Sequence, residues 1–311
     1  MNSSAISRRA FLQSAALAAT ALAAGGCQTA RSNSSWPIGC FNRPWMQKFG
    51  SRRQPVETPQ PANWGIDVAL NGIAQAGYKT AGLLTPMPDD PFIGSQATDE
   101  YLTALKDKIA RSGLAANMGS LHVKPELEMA EALADMRRQI DHARFLKLEW
   151  LLTFGVDNRD YYDKYYRMMA DGADYAQEAK IKLVMKPHGG SSGTAEEIQR
   201  GLAQVNRPNF KIWYDAGNII YYDGRDPVEE LKPIVQYVTG FCAKDCDRRH
   251  GDVMIQFGAG KVDFAGVFKE LKQAGFNGPI FVECAGGRTF DEVTEGARAN
   301  RLFLERTLAG I

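Results

Sequence analysis

The sequence predicts an α/β protein with one (β/α)8 TIM barrel, and three observations carry this prediction. Eight short apolar runs alternate with longer segments of helical period, which is the pattern of parallel strands joined by right-handed crossovers. The 311 residues, 44% of them hydrophobic, suffice for a barrel of roughly 250 residues with additions. The alternative, an open doubly wound sheet, is disfavoured because no Gly-x-Gly-x-x-Gly follows the first strand.

The first 35 residues are expected to be an export signal and a linker ahead of the barrel domain, residues 36–311. Arg8 and Arg9 precede an apolar run to Ala24 that is too short to span a membrane. The paired arginines resemble a twin-arginine signal, which predicts a periplasmic location. "LAAGGC" resembles a lipobox ending at Cys27, so a lipid tether at that cysteine and plain signal cleavage both stay open.

The eight predicted strands are short, rich in β-branched or aromatic residues, and bounded by turn residues. They cover residues 37–41, 79–84, 114–121, 149–154, 181–185, 210–214, 238–243 and 279–283.

The predicted helices lie between these runs and carry cap and dipole signals. They cover residues 63–77, 125–146, 161–179, 194–205, 226–237, 262–275 and 289–308. The first is expected to begin at an Asn cap, the second to have proline in its first turn, and Pro233 to kink or shorten the fifth. The proline-rich insert 46–62 predicts a long loop over the barrel mouth.

Charge and cysteine usage argue against a nucleic acid partner and give little support to a cysteine-based zinc site. The net charge of +1 gives no basic excess for a nucleic acid backbone. The five cysteines contain no Cys-x-x-Cys pair, and the spacing of Cys242 and Cys246 is a weak zinc signal.

Polar residues follow most of the predicted strands, at the barrel end where active sites lie. They are Asn42, Arg43, Trp45, His122, Lys124, Lys186, His188, Asp215, Asn218, Lys244, Asp245 and Glu283. Each also has a structural interpretation: His122 as a packing residue, Asp215 or Asn218 as a turn cap, and Lys244 with Asp245 as an ion pair. Because they share one rim, Lys186, His188, Asp215, Lys244 and Glu283 are the expected catalytic residues.

Three segments, "YDAGN" from Tyr214, "KDCDRRHGDVMIQFGAGKVDF" from Lys244 and "GPIFVEC" from Gly278, resemble the xylose isomerase-like, sugar phosphate isomerase/epimerase superfamily. The resemblance covers most of residues 36–308. It implies one divalent metal held by a Glu, an Asp, a His and a Glu after strands five to eight, which stabilises an enediolate. Asp215 and Glu283 match this pattern, but Lys186 and Cys242 occupy the other two positions and Asn218 replaces a further histidine.

These departures suggest that Lys186 places its ammonium where relatives place the metal, since an ammonium repels a divalent ion at ligand distance. Lys186 would stabilise an enolate oxygen, and His188 would be the general acid/base, with a pKa near working pH. The rival is a divalent metal (Mn, Zn, Mg or Co) held by His188, Asp215 and Glu283, with Cys242 or His122.

The expected function is a sugar isomerase or epimerase that removes a proton next to the carbonyl of a sugar or keto-sugar. Asn42, Trp45, His122, Asn218 and Asp245 are the expected substrate-binding residues. Four further aromatic residues, Trp213, Tyr214, Tyr221 and Tyr222, are sugar-stacking candidates, the first two also being candidate strand core. The alternatives are a metal-free keto-sugar lyase or hydratase and a non-catalytic sugar-binding barrel.

Overall fold

Eight parallel strands close into a barrel, as the sequence predicts. The computed structural model describes residues 36–46, 65–87 and 89–311. Each strand pairs with the next, and β8 pairs with β1 through Ile38 and Ile280. The strands are β1 Ile38–Phe41, β2 Thr80–Leu83, β3 Ala115–Ser120, β4 Trp150–Thr153, β5 Lys182–Met185, β6 Phe210–Asp215, β7 Val238–Ala243 and β8 Ile280–Val282.

Helices follow the strands and pack around the barrel. Those that the structure describes are α1 Arg43–Met46, α2 Ile66–Gln75, α3 Asp99–Arg111, α4 Met129–Phe145, α5 Tyr162–Glu178, α6 Ala195–Val205, α7 Ala216–Asn218, α8 Pro227–Leu231, α9 Phe264–Gln273 and α10 Phe290–Ala309. A π-helical turn, Ile219–Asp223, extends α7, and a 3₁₀ segment, Lys232–Tyr237, extends α8.

Helix α3 was not among the predicted helices, although its signals are ordinary ones. Thr98 caps it by accepting a hydrogen bond from the backbone N–H of Tyr101 at 3.2 Å. Leu102, Leu105 and Ile109 form its buried face. The other positions of this segment are mostly polar, so the sequence pattern alone did not indicate a helix.

Two predicted helix starts are wrong and one predicted kink is confirmed. Helix α2 starts after Gly65, which has no side-chain cap, and Asp90 instead accepts a hydrogen bond from the backbone N–H of Ile66 at 2.9 Å. Helix α4 starts at Met129 rather than at Pro125, which lies in the preceding turn. At Pro233, α8 gives way to a 3₁₀ segment, since proline cannot donate the next helical hydrogen bond.

The barrel interior is a closed apolar core. Trp150 and Trp213 meet edge to face with ring centroids 5.8 Å apart, and Phe41 lies 5.0 Å from Phe281. Gly240 makes room for this packing, because a Cβ there would lie 2.1 Å from the Trp213 ring. This core fills the interior below the charged side chains at the carboxyl ends of the strands.

Two sequence-based predictions fall outside the described residues. The export signal and linker lie in residues 1–35, and the loop over the mouth, apart from Met46, lies in residues 47–64. Within the described ranges, no helix is both long and apolar enough to cross a bilayer.

We predict that Gly240→Ala lowers the free energy of unfolding by about 1 to 3 kcal/mol, because the added methyl group overpacks the Trp213 ring. Urea denaturation measures this change. Gly310→Ala is the control, since its new methyl group would meet nothing closer than 3.5 Å. Equal stability of the two variants would contradict the tight packing at Gly240.

Candidate functional site

Four charged side chains converge at the carboxyl end of the barrel. Lys186 follows β5, Asp215 ends β6, Lys244 follows β7 and Glu283 follows β8. They are buried to an unusual degree for charged residues, with exposures of 1%, 0%, 3% and 1% respectively. Parallel strands bring their carboxyl ends to one rim, so adjacent strands β5 to β8 place these groups in contact.

Lys186 lies between the two carboxylates. Its ammonium is 3.0 Å from Asp215 Oδ2 and donates a hydrogen bond to Glu283 Oε2. The third side of the ammonium faces the Phe154 ring, whose centroid is 5.8 Å away. Among the described residues, Glu283 Oε2 accepts the one hydrogen bond of this ammonium, and Asp215 Oδ2 is an ion-pair contact without a hydrogen bond, so at least one N–H is available to a ligand.

Lys244 binds the same carboxylates from the other side. Its Nζ lies 2.7 Å from Asn218 Oδ1 and 3.2 Å from both Asp215 Oδ2 and Glu283 Oε1. Asn218 Oδ1 and Glu283 Oε1 accept hydrogen bonds from it, whereas Asp215 Oδ2 is an ion-pair contact. The interpretation of Lys244 and Asp245 as an ion pair is wrong, because Lys244 pairs with Asp215 and Glu283.

Arg43 is a third cation in the cluster, and sequence reasoning gave it no role. Its Nη1 donates a hydrogen bond to Glu283 Oε1, and its side chain is 31% exposed. The available signal was its position directly after β1, next to β8 in the closed barrel.

These contacts fix the ionisation of the cluster. Burial alone would raise the pKa of Glu283, but Lys186, Lys244 and Arg43 hold it well below its ordinary value. Burial alone would lower the pKa of Lys186, but the carboxylates of Glu283 and Asp215 raise it well above its ordinary value. Burial, followed by the two carboxylates, raises the pKa of Cys242, which donates its S–H to Glu283 Oε2 at 2.7 Å. Lys186, Lys244 and Glu283 are therefore charged, and the Cys242 thiol is neutral.

His188 follows β5 and faces the cluster from its rim. Its Nε2 is 2.8 Å from the Tyr222 hydroxyl, and its backbone N–H donates to Ser192 Oγ at 3.1 Å. Gly189 and Gly190, with φ of +79° and +51°, permit the turn that sets this position. Burial, then Lys186 and Lys244, lower the pKa of His188 to about 4. The expectation of a pKa near working pH is wrong, because two ammonium groups oppose a second nearby positive charge.

Three predicted substrate-binding residues have structural partners instead. Asn42 is fully buried and its side chain bonds to the backbone of Leu84 and Thr85. Trp45 is also fully buried, and its Nε1 donates to Thr294 Oγ1 at 3.2 Å, so its ring presents no face to a sugar. These assignments were wrong because position after a strand does not fix side-chain direction.

Asp245 is the third such residue, and it organises the loop after β7. Its carboxylate accepts hydrogen bonds from the backbone N–H groups of Cys246, Gly258, Gly260 and Val262. Backbone N–H groups thus occupy both oxygens of this buried carboxylate, which gives Asp245 a structural role in the loop.

Asn218 and His122 remain close to the site. Asn218 accepts from Lys244 and donates to the Pro187 carbonyl at 2.6 Å, while its backbone N–H donates to Asp215 Oδ1 at 2.9 Å. Asp215 is thus both a turn cap and an ion-pair partner. His122 is exposed, and its ring centroid lies 6.1 Å from that of Phe154, which also contacts His188.

The other aromatic candidates divide into two groups. Trp213 and Tyr214 are fully buried core residues, which excludes sugar stacking. Tyr222 contacts His188 with ring centroids 4.6 Å apart, and Tyr221 packs beside it at 4.9 Å.

Asp215, Cys242 and Glu283 place potential metal-ligand atoms within 4.8 Å of one another. His188 is not part of this group, contrary to the ligand set expected from the sequence. The two carboxylates suit a divalent ion, but the Lys186 ammonium contacts both of them. An ion at these ligands would have to displace a charged lysine, so the residues as arranged do not fit a metal.

Comparison with known proteins identifies the family. The model of the family described as xylose isomerase-like TIM barrel matches residues 70–307. An L-ribulose-5-phosphate 3-epimerase of Escherichia coli K12 is 26% identical over 178 residues, 55% of this chain. The match spans 62% of that relative's length, less than two thirds.

Two solved structures share the fold. A xylose isomerase-like TIM barrel protein from Mycobacterium smegmatis in complex with magnesium has a TM-score of 0.68 and 17% identity, covering 89% of this chain and 97% of that one. A D-psicose 3-epimerase with D-tagatose from Clostridium cellulolyticum H10 has a TM-score of 0.65 and 13% identity, covering 88% and 99%.

We predict that Asp245→Asn destabilises the protein by about 1.5 to 3 kcal/mol, because the amide replaces an ionised acceptor that holds backbone N–H groups. Asp107→Asn, at an exposed helical position, is the control. Thermal and urea unfolding measure both. A stable Asp245→Asn protein with weakened sugar binding would instead make Asp245 a substrate residue.

Proposed function

We propose that the chain, which belongs to the xylose isomerase-like TIM barrel family, is a sugar isomerase or epimerase. Its reaction moves a proton at the carbon next to the carbonyl of a keto-sugar. The sugar epimerases among the relatives support this class, and nothing in them supports the lyase or hydratase alternative.

The single observation that carries the proposal is the buried ammonium of Lys186 between Asp215 and Glu283. Removal of a proton beside a carbonyl puts negative charge on the carbonyl oxygen. A fixed positive donor in a dry site stabilises that charge without reorganisation. Lys186 donates one hydrogen bond among the described residues, to Glu283, and so has an N–H available for this oxygen, whereas Lys244 donates to both Asn218 and Glu283.

His188 is the proposed base. Its low pKa keeps the imidazole neutral at neutral pH, so one ring nitrogen can accept the proton from carbon. The electron pair of the broken C–H bond moves to the carbonyl oxygen beside Lys186. The protonated His188 then delivers the proton to the former carbonyl carbon, and the hydroxyl proton of the neighbouring carbon passes to the enolate oxygen, which completes an isomerisation. Tyr222 holds the imidazole ring in place. Glu283 is a poor base, because it accepts from Lys186, Lys244, Arg43 and Cys242.

A metal-dependent version of this reaction is the second candidate. Its support is the set of potential ligands Asp215, Cys242 and Glu283 together with the magnesium complex of a protein with the same fold. In that case Lys186 would lie in the metal position and would have no role in the reaction.

We predict that Lys186→Met lowers activity by about 10²- to 10³-fold, the typical loss of an oxyanion donor. Activity is measured as deuterium uptake from heavy water at the carbon beside the carbonyl of D-fructose, D-psicose, D-tagatose and L-ribulose. Lys182→Met, which alters an exposed lysine at the other end of β5, is the matched control.

The exchange experiment separates the rival functions. Full activity of Lys186→Met would contradict the role of Lys186 and favour the metal-dependent enzyme. Binding of these ketoses by the wild type with no exchange in any of them would favour a non-catalytic sugar-binding barrel.

We predict that activity stays constant from about pH 8 to about pH 5.5. Below pH 5.5 it should fall with an apparent pKa of about 4, the pKa of His188. The sign follows because the base acts only when unprotonated, so acid removes activity. The pH profile of kcat/KM measures this, with His250→Gln, an exposed histidine, as control. Half-loss near the ordinary histidine pKa of 6.5 would contradict the assignment.

We further propose, from the sequence of residues 1–27 alone, that the protein is exported. Cell fractionation of the wild type and an Arg8→Lys, Arg9→Lys variant tests this. The wild type should appear in the periplasm or attached to the membrane and the variant in the cytoplasm. Equal cytoplasmic retention of both would contradict export.

A further inference from the structure

The charges at the described part of the site do not balance. Lys186, Lys244 and Arg43 are positive, while the carboxylates in contact with them are Asp215 and Glu283. Cys242, His188 and Tyr222 are neutral at pH 7. Three cations against the two carboxylates that contact them leave one positive charge, in a place where the lysines and both carboxylates are almost fully buried. The nearby Asp245 carboxylate is also buried, but its partners are backbone N–H groups rather than these cations.

Arg43 is the cation of this cluster that a ligand can reach. Of its five N–H bonds, one donates to a protein partner among the described residues, Glu283 Oε1. Its side chain is 31% exposed, whereas those of Lys186 and Lys244 are 1% and 3% exposed. The guanidinium fork therefore offers donors to a group that enters from the barrel mouth.

We infer that the substrate is an acidic keto-sugar whose carboxylate binds Arg43 while its carbonyl oxygen faces Lys186. This inference rests on the proposed function for the role of Lys186. Arg43 and Lys186 bond to different oxygens of the same Glu283 carboxylate, so the two substrate groups must be close to each other in the sugar chain. A carboxylate directly next to the carbonyl, as in a 2-keto-sugar acid, has this spacing.

A carboxylate fits the site better than a phosphate does. Its single negative charge balances the single surplus positive charge, whereas a phosphate monoester carries about −1.5 to −2 at neutral pH. Its plane also matches the guanidinium fork in a paired hydrogen bond. A neutral ketose would leave the surplus charge without a partner.

The test uses ligands that differ only at the first carbon. D-Fructose, 2-keto-D-gluconate and D-fructose 1-phosphate form one set, and L-sorbose with 2-keto-L-gulonate forms a second. Their binding to the full-length protein is measured by isothermal titration calorimetry at about 0.15 M salt, where long-range charge effects are screened. The variants are Arg43→Gln, Arg43→Lys and, as control, Arg248→Gln, which alters an exposed arginine in the loop after β7. Arg43→Gln leaves two cations and two carboxylates, a balanced cluster that should fold.

We expect at least one keto-acid to bind about tenfold or more tightly than its matched ketose. Arg43→Gln should abolish this preference, Arg43→Lys should retain part of it, and Arg248→Gln should leave it unchanged. The inference is overturned if neither keto-acid binds more tightly than its ketose, if the phosphate is preferred, or if Arg43→Gln keeps the preference.

Deuterium exchange separates this inference from the proposed function. Arg43-dependent binding of a keto-acid without exchange at its third carbon would support the substrate class and contradict the proton transfer. Exchange in neutral ketoses with no preference for the acids would support the proton transfer and overturn the substrate class.

Discussion

The buried carboxylate of Glu283 is the constraint on which the rest of the site depends. It lies at the end of β8 with 1% exposure, and it contacts Lys186, Lys244, Arg43 and the Cys242 thiol. An unpaired charge at such depth is strongly destabilising, so a buried carboxylate requires cations in fixed positions. Burial and two of these cations, Lys186 and Lys244, lower the pKa of His188, so the cluster influences the ionisation of both groups that are proposed to act on the substrate.

The barrel provides the rigidity that this arrangement requires. Below the cluster, the interior is filled by large side chains such as Trp150, Trp213 and Phe281, so the charged groups rest on a dense apolar core. Above it, Asp245 fastens the loop after β7 by accepting backbone hydrogen bonds, and Ser192 fastens the turn after His188. These residues act on the site through the backbone rather than by touching a substrate.

The sequence predicts the strand positions, because an apolar run forms a strand. It also predicts which residues converge at the site, because the residue after each strand lies on the rim of the barrel. These residues are Lys186, Asp215, Lys244 and Glu283. Chain order does not determine the direction in which a side chain points. Asn42, Trp45 and Asp245 also follow strands, yet they turn into the protein and bond to backbone or core groups. Arg43 reaches Glu283 across the closure between β1 and β8, a contact that only the closed barrel creates.

The central claim is that a lysine ammonium takes the position at which a divalent metal would bind Asp215 and Glu283. The most direct measurement is the metal content of the purified full-length protein by plasma mass spectrometry, after growth with Mn, Zn, Mg and Co supplied. The charged Lys186 between the carboxylates predicts protein that is active in ketose exchange and contains no stoichiometric divalent metal. A stoichiometric metal that is lost together with activity on chelation would contradict the claim and assign Asp215, Cys242 and Glu283 as its ligands.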